Sequence, residues 1–386
     1  MKQRILIVYP HMAIGGSTTS LLSILNLIDY EKYDIDLLLG ENKGELLGYI
    51  PSCVRHLDQA LPSKTALKIK KTLNFEYLLA RLKVKNKSIN VQYQYLNYQN
   101  AKLSRKLNDS YDIAIAFLET YSCDYVADFV NAKKKIFWLH LDYLGAGFDK
   151  NFDYPIYKQF NNIVLVSEAC KKNFDITFPE FASRSVVIEN ILSMQFMLNR
   201  SREACDLQID SKYLNLISVC RIDFKHKGLD RGIEAIKFLR DCGVNNVRWY
   251  IIGTGDDIEK LHLLIKDYQL EDRVFLLGAK VNPAPFIVKM GAFFLPSRYE
   301  GKPMAVTEAM MLGIPPIVAQ YASASEQIEN EQNGFILDND QESINNGLLR
   351  ICMNQNMIQK CRKELQKIDL SNISEMEKIY GLINKN

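Results

Sequence analysis

Residues 293–320 read FFLPSRYEGKPMAVTEAMMLGIPPIVAQ. An apolar run ends at Pro296 and Ser297, a polar loop carries Glu300 and Gly301, and Pro303 leads into a helix. A second apolar run, PPIVAQ, follows the helix. Strand, helix and strand in so short a span make the βαβ unit of a parallel sheet. Proline suits the first turn because its missing N–H has no helical partner there. The N–H groups of Met304, Ala305 and Val306 then face the loop, with the positive end of the helix dipole behind them. That is an anion site suited to a diphosphate. Glu300 precedes the helix and Glu308 lies inside it. Carboxylates repel phosphate but accept hydrogen bonds from sugar hydroxyls. The pattern therefore describes a ligand with phosphate in the middle and polyhydroxy rings at both ends, which is the shape of a nucleotide sugar.

The same alternation extends in both directions. Upstream, RILIVY, YDIDLLLG, YDIAIAFLE, KKIFWLH, NIVLVS and SVVIENI read as strands; downstream, LNLISVCRI, VRWYIIG, RVFLLG, AFFLPS, PPIVAQ and GFIL do. Amphipathic segments such as LDRGIEAIKFLRDCG separate them. Continuous apolar strands between helices indicate parallel sheets covered on both faces, and two such series make two doubly wound, Rossmann-like α/β domains. The polar stretch 192–213 interrupts the series and reads as the linker. NISEMEKIYGLINKN reads as a terminal helix begun by an Asn cap, which returns to the first domain. The domains are then 1–195 together with 370–386, and 196–369.

With 386 residues, 47% hydrophobic and 24% charged, the chain has the composition of a globular protein. The apolar run at its start is too short for a signal peptide, and no stretch is apolar for long enough to span a bilayer. Eight cysteines show no metal-site spacing and read as free thiols of a cytoplasmic protein. The D-x-D of residues 34–36 lies in an alternating strand, so its carboxylates are expected in solvent rather than on a metal.

From residue 61 to 108 the net charge of +3 conceals an imbalance: eleven Lys or Arg residues against one carboxylate, Glu76. Apolar and aromatic residues alternate with the cations. An interfacial helix on an anionic membrane surface and a solvated face covering the sheet both fit this composition; nucleic acid fits less well and is not expected as a partner.

Two further features sit at strand ends, where ligands bind in doubly wound sheets. Arg221, in SVCRIDFKHKG, follows one strand, and Lys227 precedes a helix; together they can neutralise a departing diphosphate. His140 ends KKIFWLH, with Asp142 two residues on, placed to orient it or to meet an acceptor. His226, within KHKG, reads as a surface residue.

With these motifs the sequence resembles the retaining GT-B glycosyltransferases of family 4, the group that includes many bacterial polysaccharide-assembly enzymes. The glutamates Glu300 and Glu308 match the family's Glu-x7-Glu, and the likeness runs from the N-terminal GG loop to EQNGFI. The resemblance implies two Rossmann-like domains facing each other across a cleft. It implies Glu308 on the ribose hydroxyls, Glu300 on the donor sugar, and Arg221 and Lys227 on the diphosphate. Gly253 and Gly255, with Gly278, match loops around the nucleoside; Lys280, Val281 and Asn282 would lie beside the base. His140 would touch the donor sugar, and the backbone at Gly15 and Gly16 would close on the donor. Gly301, Lys302 and Pro303 complete the loop; Lys302 departs from the aromatic or small residue frequent there.

The expected reaction moves a sugar from a nucleotide-diphosphate sugar, UDP being the family's commonest choice, with retention of configuration. The acceptor would be a glycan or a lipid-linked glycan of capsule, exopolysaccharide or teichoic-acid assembly. No cofactor and no metal is expected, since the cations and the helix terminus take the metal's place. A nucleotide-sugar epimerase and a non-catalytic binding protein of the same fold are the alternatives. The expected location is cytoplasmic, peripheral on the inner face of the membrane if residues 61–108 touch lipid.

Overall fold

A computed structural model describes residues 2–192 and 194–384. The chain divides into two compact units, Met1–Asn190 with Ser374–Asn386, and Ile191–Ile373. Each is built on one parallel sheet.

In the first unit the strands are β1 (Gln3–Tyr9), β2 (Tyr33–Leu39), β3 (Arg55–His56), β4 (Ser110–Ala116), β5 (Asn131–Leu139), β6 (Asn162–Leu165) and β7 (Ser185–Val187), in the order β3-β2-β1-β4-β5-β6-β7. The chain winds outward from β1 to β3, then restarts at β4 on the other side of β1. The carboxyl ends of β1 and β4 therefore border the switch point where doubly wound sheets bind ligands. Ile5 to Tyr9 are all buried, as expected for a strand covered on both faces.

The second unit repeats the plan with β8 (Leu214–Val219), β9 (Val247–Ile252), β10 (Val274–Gly278), β11 (Ala292–Leu295), β12 (Pro316–Ala319) and β13 (Phe335–Leu337), in the order β10-β9-β8-β11-β12-β13. Its switch point lies between β8 and β11. Trp249 and Phe294 pack edge to face in its core, and the Trp249 indole donates to Ser218 Oγ at 2.9 Å. That bond satisfies the one polar atom of a fully buried ring.

Each strand read from the sequence is present, and β3 is added. Two polar residues have no apolar run to announce them. β3 is instead held by Arg55, whose guanidinium grips both carboxylate oxygens of Asp36. Asp36 is buried, so the carboxylates of the D-x-D do not both face solvent as expected. Arg4 also reaches Asp36, at 3.4 Å, and these cations hold its carboxyl below the usual range although burial opposes them.

The stretch 192–213 carries the helix Met194–Ser201, whose Met197 is buried in the core of the second unit with Leu207 and Ile209 against that core. The final helix, Glu375–Asn384, packs within the first unit. Tyr380 Oη accepts from Asp29 N at 3.1 Å and donates to Leu27 O at 3.2 Å, and Lys134 Nζ donates to Leu382 O at 2.7 Å. Asn372 is not its cap: the helix starts three residues later, and the Asn372 side chain accepts from Leu192 N at 2.7 Å. All eight cysteines are free.

Candidate active site

The switch point of the second unit collects the charged residues. After β8 the chain turns through Arg221 to Asp223 and makes one helical turn, Phe224–Lys227. Asp223 caps that turn by accepting from His226 N at 3.2 Å, and its other oxygen takes the Arg221 guanidinium at 2.8 Å. Arg221 is otherwise exposed. Gly228 ends the turn with φ +62, and a Cβ there would lie 2.1 Å from the Pro296 carbonyl oxygen. Only glycine permits both the left-handed backbone and this approach to the end of β11.

That approach delivers Lys227 to Glu300. Its ammonium lies 2.7 Å from Oε1 and 3.0 Å from Oε2, while Ser297 Oγ donates to Oε1 at 2.6 Å. Burial alone would raise the Glu300 carboxyl; Lys227 and His226 overcome it and hold the group well below the usual carboxylate range. His226 is not a surface residue. Its ring stacks on Tyr299 with centroids 4.4 Å apart and planes 7° from parallel, and its Nε2 lies 3.4 Å from Glu300 Oε2. Desolvation, helped by Lys227, lowers its pKa and favours the neutral imidazole. The sequence hid this residue because an isolated His between two lysines reads as solvated.

Charged and polar groups behind the site fix these two loops. Arg298 forks onto Asp230 at 2.8 and 2.7 Å, and Arg231 donates to Pro296 O at 2.7 Å. Gly253 has a related duty: a Cβ on it would lie 1.9 Å from the Cys220 carbonyl oxygen. The loop after β9 therefore presses directly on the loop carrying Arg221. Gly255 abuts the Ile222 carbonyl in the same manner. Burial pushes the Cys220 thiol up to about 12, so it stays protonated.

The helix after Glu300 spans Met304–Met311, with Pro303 as its cap. Val306 N donates to Pro303 O at 3.1 Å, so the expected trio of outward N–H groups is reduced to Met304 and Ala305. The loop Gly301–Pro303, with half-buried Lys302, is tied down from outside. Ser323 Oγ donates to Gly301 O, and Gln327 donates to Pro303 O at 3.0 Å and to Thr307 Oγ1 at 2.6 Å. Glu308 is buried on this helix, which raises its pKa, opposed by the charge of Arg200. Arg200 donates to Val281 O at 2.7 Å and accepts from Asn282 Nδ2 at 2.9 Å through its carbonyl. The cation that eases the charge on Glu308 is thus bonded to the loop of Lys280, Val281 and Asn282. No sequence signal pointed to Arg200.

In the first unit, Gly15 caps the helix Gly16–Leu27 in an extended conformation, and nothing lies within 4 Å of where its Cβ would stand. The hydroxyls after it are committed within the fold: Ser17 to Tyr9 at 2.7 Å, Thr18 to Ala13 O at 2.7 Å, Thr19 to Gly15 O at 3.2 Å. His140 follows β5; its backbone N–H donates to Glu119 Oε2 at 3.3 Å and its ring packs 5.0 Å from that of Phe117. Neither ring nitrogen has a well-formed hydrogen bond among the described residues, and burial drives the imidazole down to about 3, hence neutral. Thr120, which immediately precedes the helix Tyr121–Phe129, has φ +62, a strained setting for a β-branched residue. Asp142 does not orient His140. Its oxygens accept from Gly145 N at 3.2 Å and Asn173 Nδ2 at 3.0 Å, which caps the next turn.

Residues 199–368 match the family described as Glycosyl transferases group 1. Over 360 residues, 92% of this chain and 91% of the relative, the chain is 24% identical to the N-acetylgalactosamine-N,N'-diacetylbacillosaminyl-diphospho-undecaprenol 4-alpha-N-acetylgalactosaminyltransferase of Campylobacter jejuni. Over 122 residues, 31% of each chain, it is 35% identical to the UDP-Gal:alpha-D-GlcNAc-diphosphoundecaprenol alpha-1,3-galactosyltransferase of Escherichia coli. The chain spans a third to just over half of the length of the first curated relatives it matches. Among solved structures, HepE of Anabaena in complex with UDP and glucose matches with a TM-score of 0.71 over 99% of both chains at 16% identity, a likeness of fold. The match to the group 1 glycosyltransferases thus falls on the second unit, and the two parallel-sheet units are those of the GT-B fold.

Proposed function

We propose that the protein is a glycosyltransferase that moves a sugar from a UDP-sugar, with retention of configuration, to a glycan or lipid-linked acceptor in cell-surface polysaccharide assembly. The observation that carries this reading is the arrangement around Glu300 at the β8–β11 switch. There a buried carboxylate is fixed by Lys227, with a helix N-terminus following it and a second buried carboxylate, Glu308, on that helix.

In this reading Glu308 accepts the ribose hydroxyls, and the loop of Lys280, Val281 and Asn282 lies beside the base. Glu300 holds the donor sugar. Arg221, Lys227 and the N–H groups of Met304 and Ala305 take the charge that develops on the leaving diphosphate. The acceptor oxygen bonds to the anomeric carbon on the face from which the phosphate oxygen departs. The hydroxyl proton passes to that departing phosphate, which leaves as the nucleoside diphosphate. Neutral His140 and the backbone at Gly15 and Gly16, all in the first unit, keep the donor-contact roles that the resemblance implies for them. Positive charge comes from the chain in this scheme, and turnover is expected to survive EDTA.

The UDP named for the E. coli relative and for HepE supports the donor assignment, and the diphosphoundecaprenol in both relatives' names supports a lipid-linked acceptor. Such an acceptor fits a cytoplasmic protein peripheral to the membrane. A screen of nucleotide sugars by thermal stabilisation, followed by product analysis with and without a lipid-linked acceptor, tests the assignment. UDP-sugars should stabilise the protein and Glu308→Ala should abolish the effect. Stabilisation by no nucleotide sugar, or turnover without acceptor to an epimerised donor, would overturn it.

A further inference from the structure

Between β3 and β4 the chain inserts three helices, Lys64–Leu73, Phe75–Val84 and Ile89–Leu103. They pack in series, each on the next, and the last packs on the helix Tyr121–Phe129 of the body. Leu67, Ala80, Val84, Val91 and Ala101 are the buried apolar side chains of these helices. The larger apolar residues face the other way. On the middle helix Phe75, Leu78, Leu79 and Leu82 recur at i, i+3, i+4 and i+7, the spacing of one helical stripe, yet they are 71, 41, 47 and 68% exposed. On the preceding helix Ile69 and Leu73 are exposed as well, at 55 and 80%. An amphipathic helix ordinarily turns such a stripe toward its own core; here small residues face the core and the stripe faces out.

Charge identifies what meets it. Lys64, Lys68, Lys70, Arg81, Lys83, Lys85 and Lys87 are exposed around the stripe. The one carboxylate of the segment, Glu76, is paired with Lys102 at 2.8 Å. We propose that this face docks on an anionic bilayer, with the elbow Leu73–Phe75 entering the interface and the cations resting on the headgroups. Aliphatic residues set among lysines gain free energy in acyl chains while the ammonium groups stay with lipid phosphate. They offer nothing to a nucleic-acid base, which is recognised by stacking and hydrogen bonding. Among the described residues no helix is long and apolar enough to cross a membrane, so the contact is one of surface docking. The inference rests on the placement of these side chains and holds whether or not the transferase reading does.

Flotation of the full chain with vesicles of phosphatidylcholine, alone or mixed with phosphatidylglycerol, is the test. The protein should rise with the mixed vesicles at low salt, and much less with phosphatidylcholine or at high salt. The triple variant Leu73→Ser, Phe75→Ser, Leu82→Ser should lower the partition coefficient roughly ten-fold or more, with an unchanged melting temperature and unchanged stabilisation by UDP. In Leu73→Trp the indole emission should shift to the blue on adding mixed vesicles. Wild-type protein that stays behind with every vesicle would overturn the proposal. So would a triple variant that floats as well as wild type, or a wild-type dimer that the triple variant dissolves. Failure to bind any nucleotide sugar would instead count against the transferase reading alone.

Discussion

The ammonium of Lys227 bridges both oxygens of Glu300, and the two side chains are only 16 and 6% exposed. The cation assigned to the diphosphate and the carboxylate assigned to the sugar are therefore partners of each other. Lys227→Ala leaves a buried carboxylate without its counter-charge, a change that costs about 3–5 kcal/mol. It should lower the melting temperature as well as turnover, whereas the double variant Lys227→Met, Glu300→Gln should regain stability without activity. Thermal melts beside initial rates decide this; a Lys227→Ala melting temperature equal to wild type would refute it.

His226 braces the same carboxylate from a stacked position on Tyr299. His226→Phe preserves the flat ring and removes the nitrogen facing Glu300. Stability should change by less than about 1 kcal/mol, as volume-conserving ring swaps do, while kcat falls and KM for the donor nucleotide stays near wild type. A change confined to KM would place His226 at the nucleotide instead of at the sugar.

Nucleotide affinity should depend on pH through Glu308. Burial raises its pKa above the ordinary value, and only the ionised form accepts both ribose hydroxyls. UDP binding should therefore weaken as pH falls through that raised pKa, at a pH where an ordinary glutamate is still charged. The same raised pKa means that the ionised, buried carboxylate costs stability as pH rises, and Glu308→Gln removes that dependence together with the acid limb of UDP binding. Calorimetric titration of UDP across the acid range measures it; a wild-type affinity independent of pH would rule Glu308 out as the ribose acceptor.

Gly253→Ala sets a methyl group 1.9 Å from the Cys220 carbonyl oxygen. Backbone on both sides cannot yield as a side chain would, so a loss of roughly 2 kcal/mol or more is expected. The strain falls on the loop bearing Arg221, and turnover should drop further than stability alone explains. Gly15→Ala is the contrast, since open space surrounds that position; its melting temperature should stay within about 1 °C of wild type.

Twelve strands were legible because each is a continuous apolar run between breakers, and burial on both faces demands such a run. β3 was not, because two polar residues joined to the edge by Arg55 and Asp36 carry no hydrophobic signal. The placement of Glu300, Lys227 and Arg221 was legible because strand ends in a doubly wound sheet project residues toward the switch point. His226 and Arg200 escaped because their surroundings come from residues remote in the chain: Tyr299 and Glu300 for one, Val281 and Asn282 for the other. The orienting role read for Asp142 fails because nearness in sequence is not contact: its oxygens cap a turn instead.

Alternating strands and helices, set by local periodicity and turn chemistry, determined the two parallel sheets and the positions of the charged loops. Tertiary structure decided pairing and facing. Lys227 meets Glu300 across 73 residues because a glycine lets two strand ends touch. The stripe Phe75–Leu82 has the same helical period whether it points in or out. Its direction depends on which other surfaces are available to cover it, and that information is absent from the helix itself.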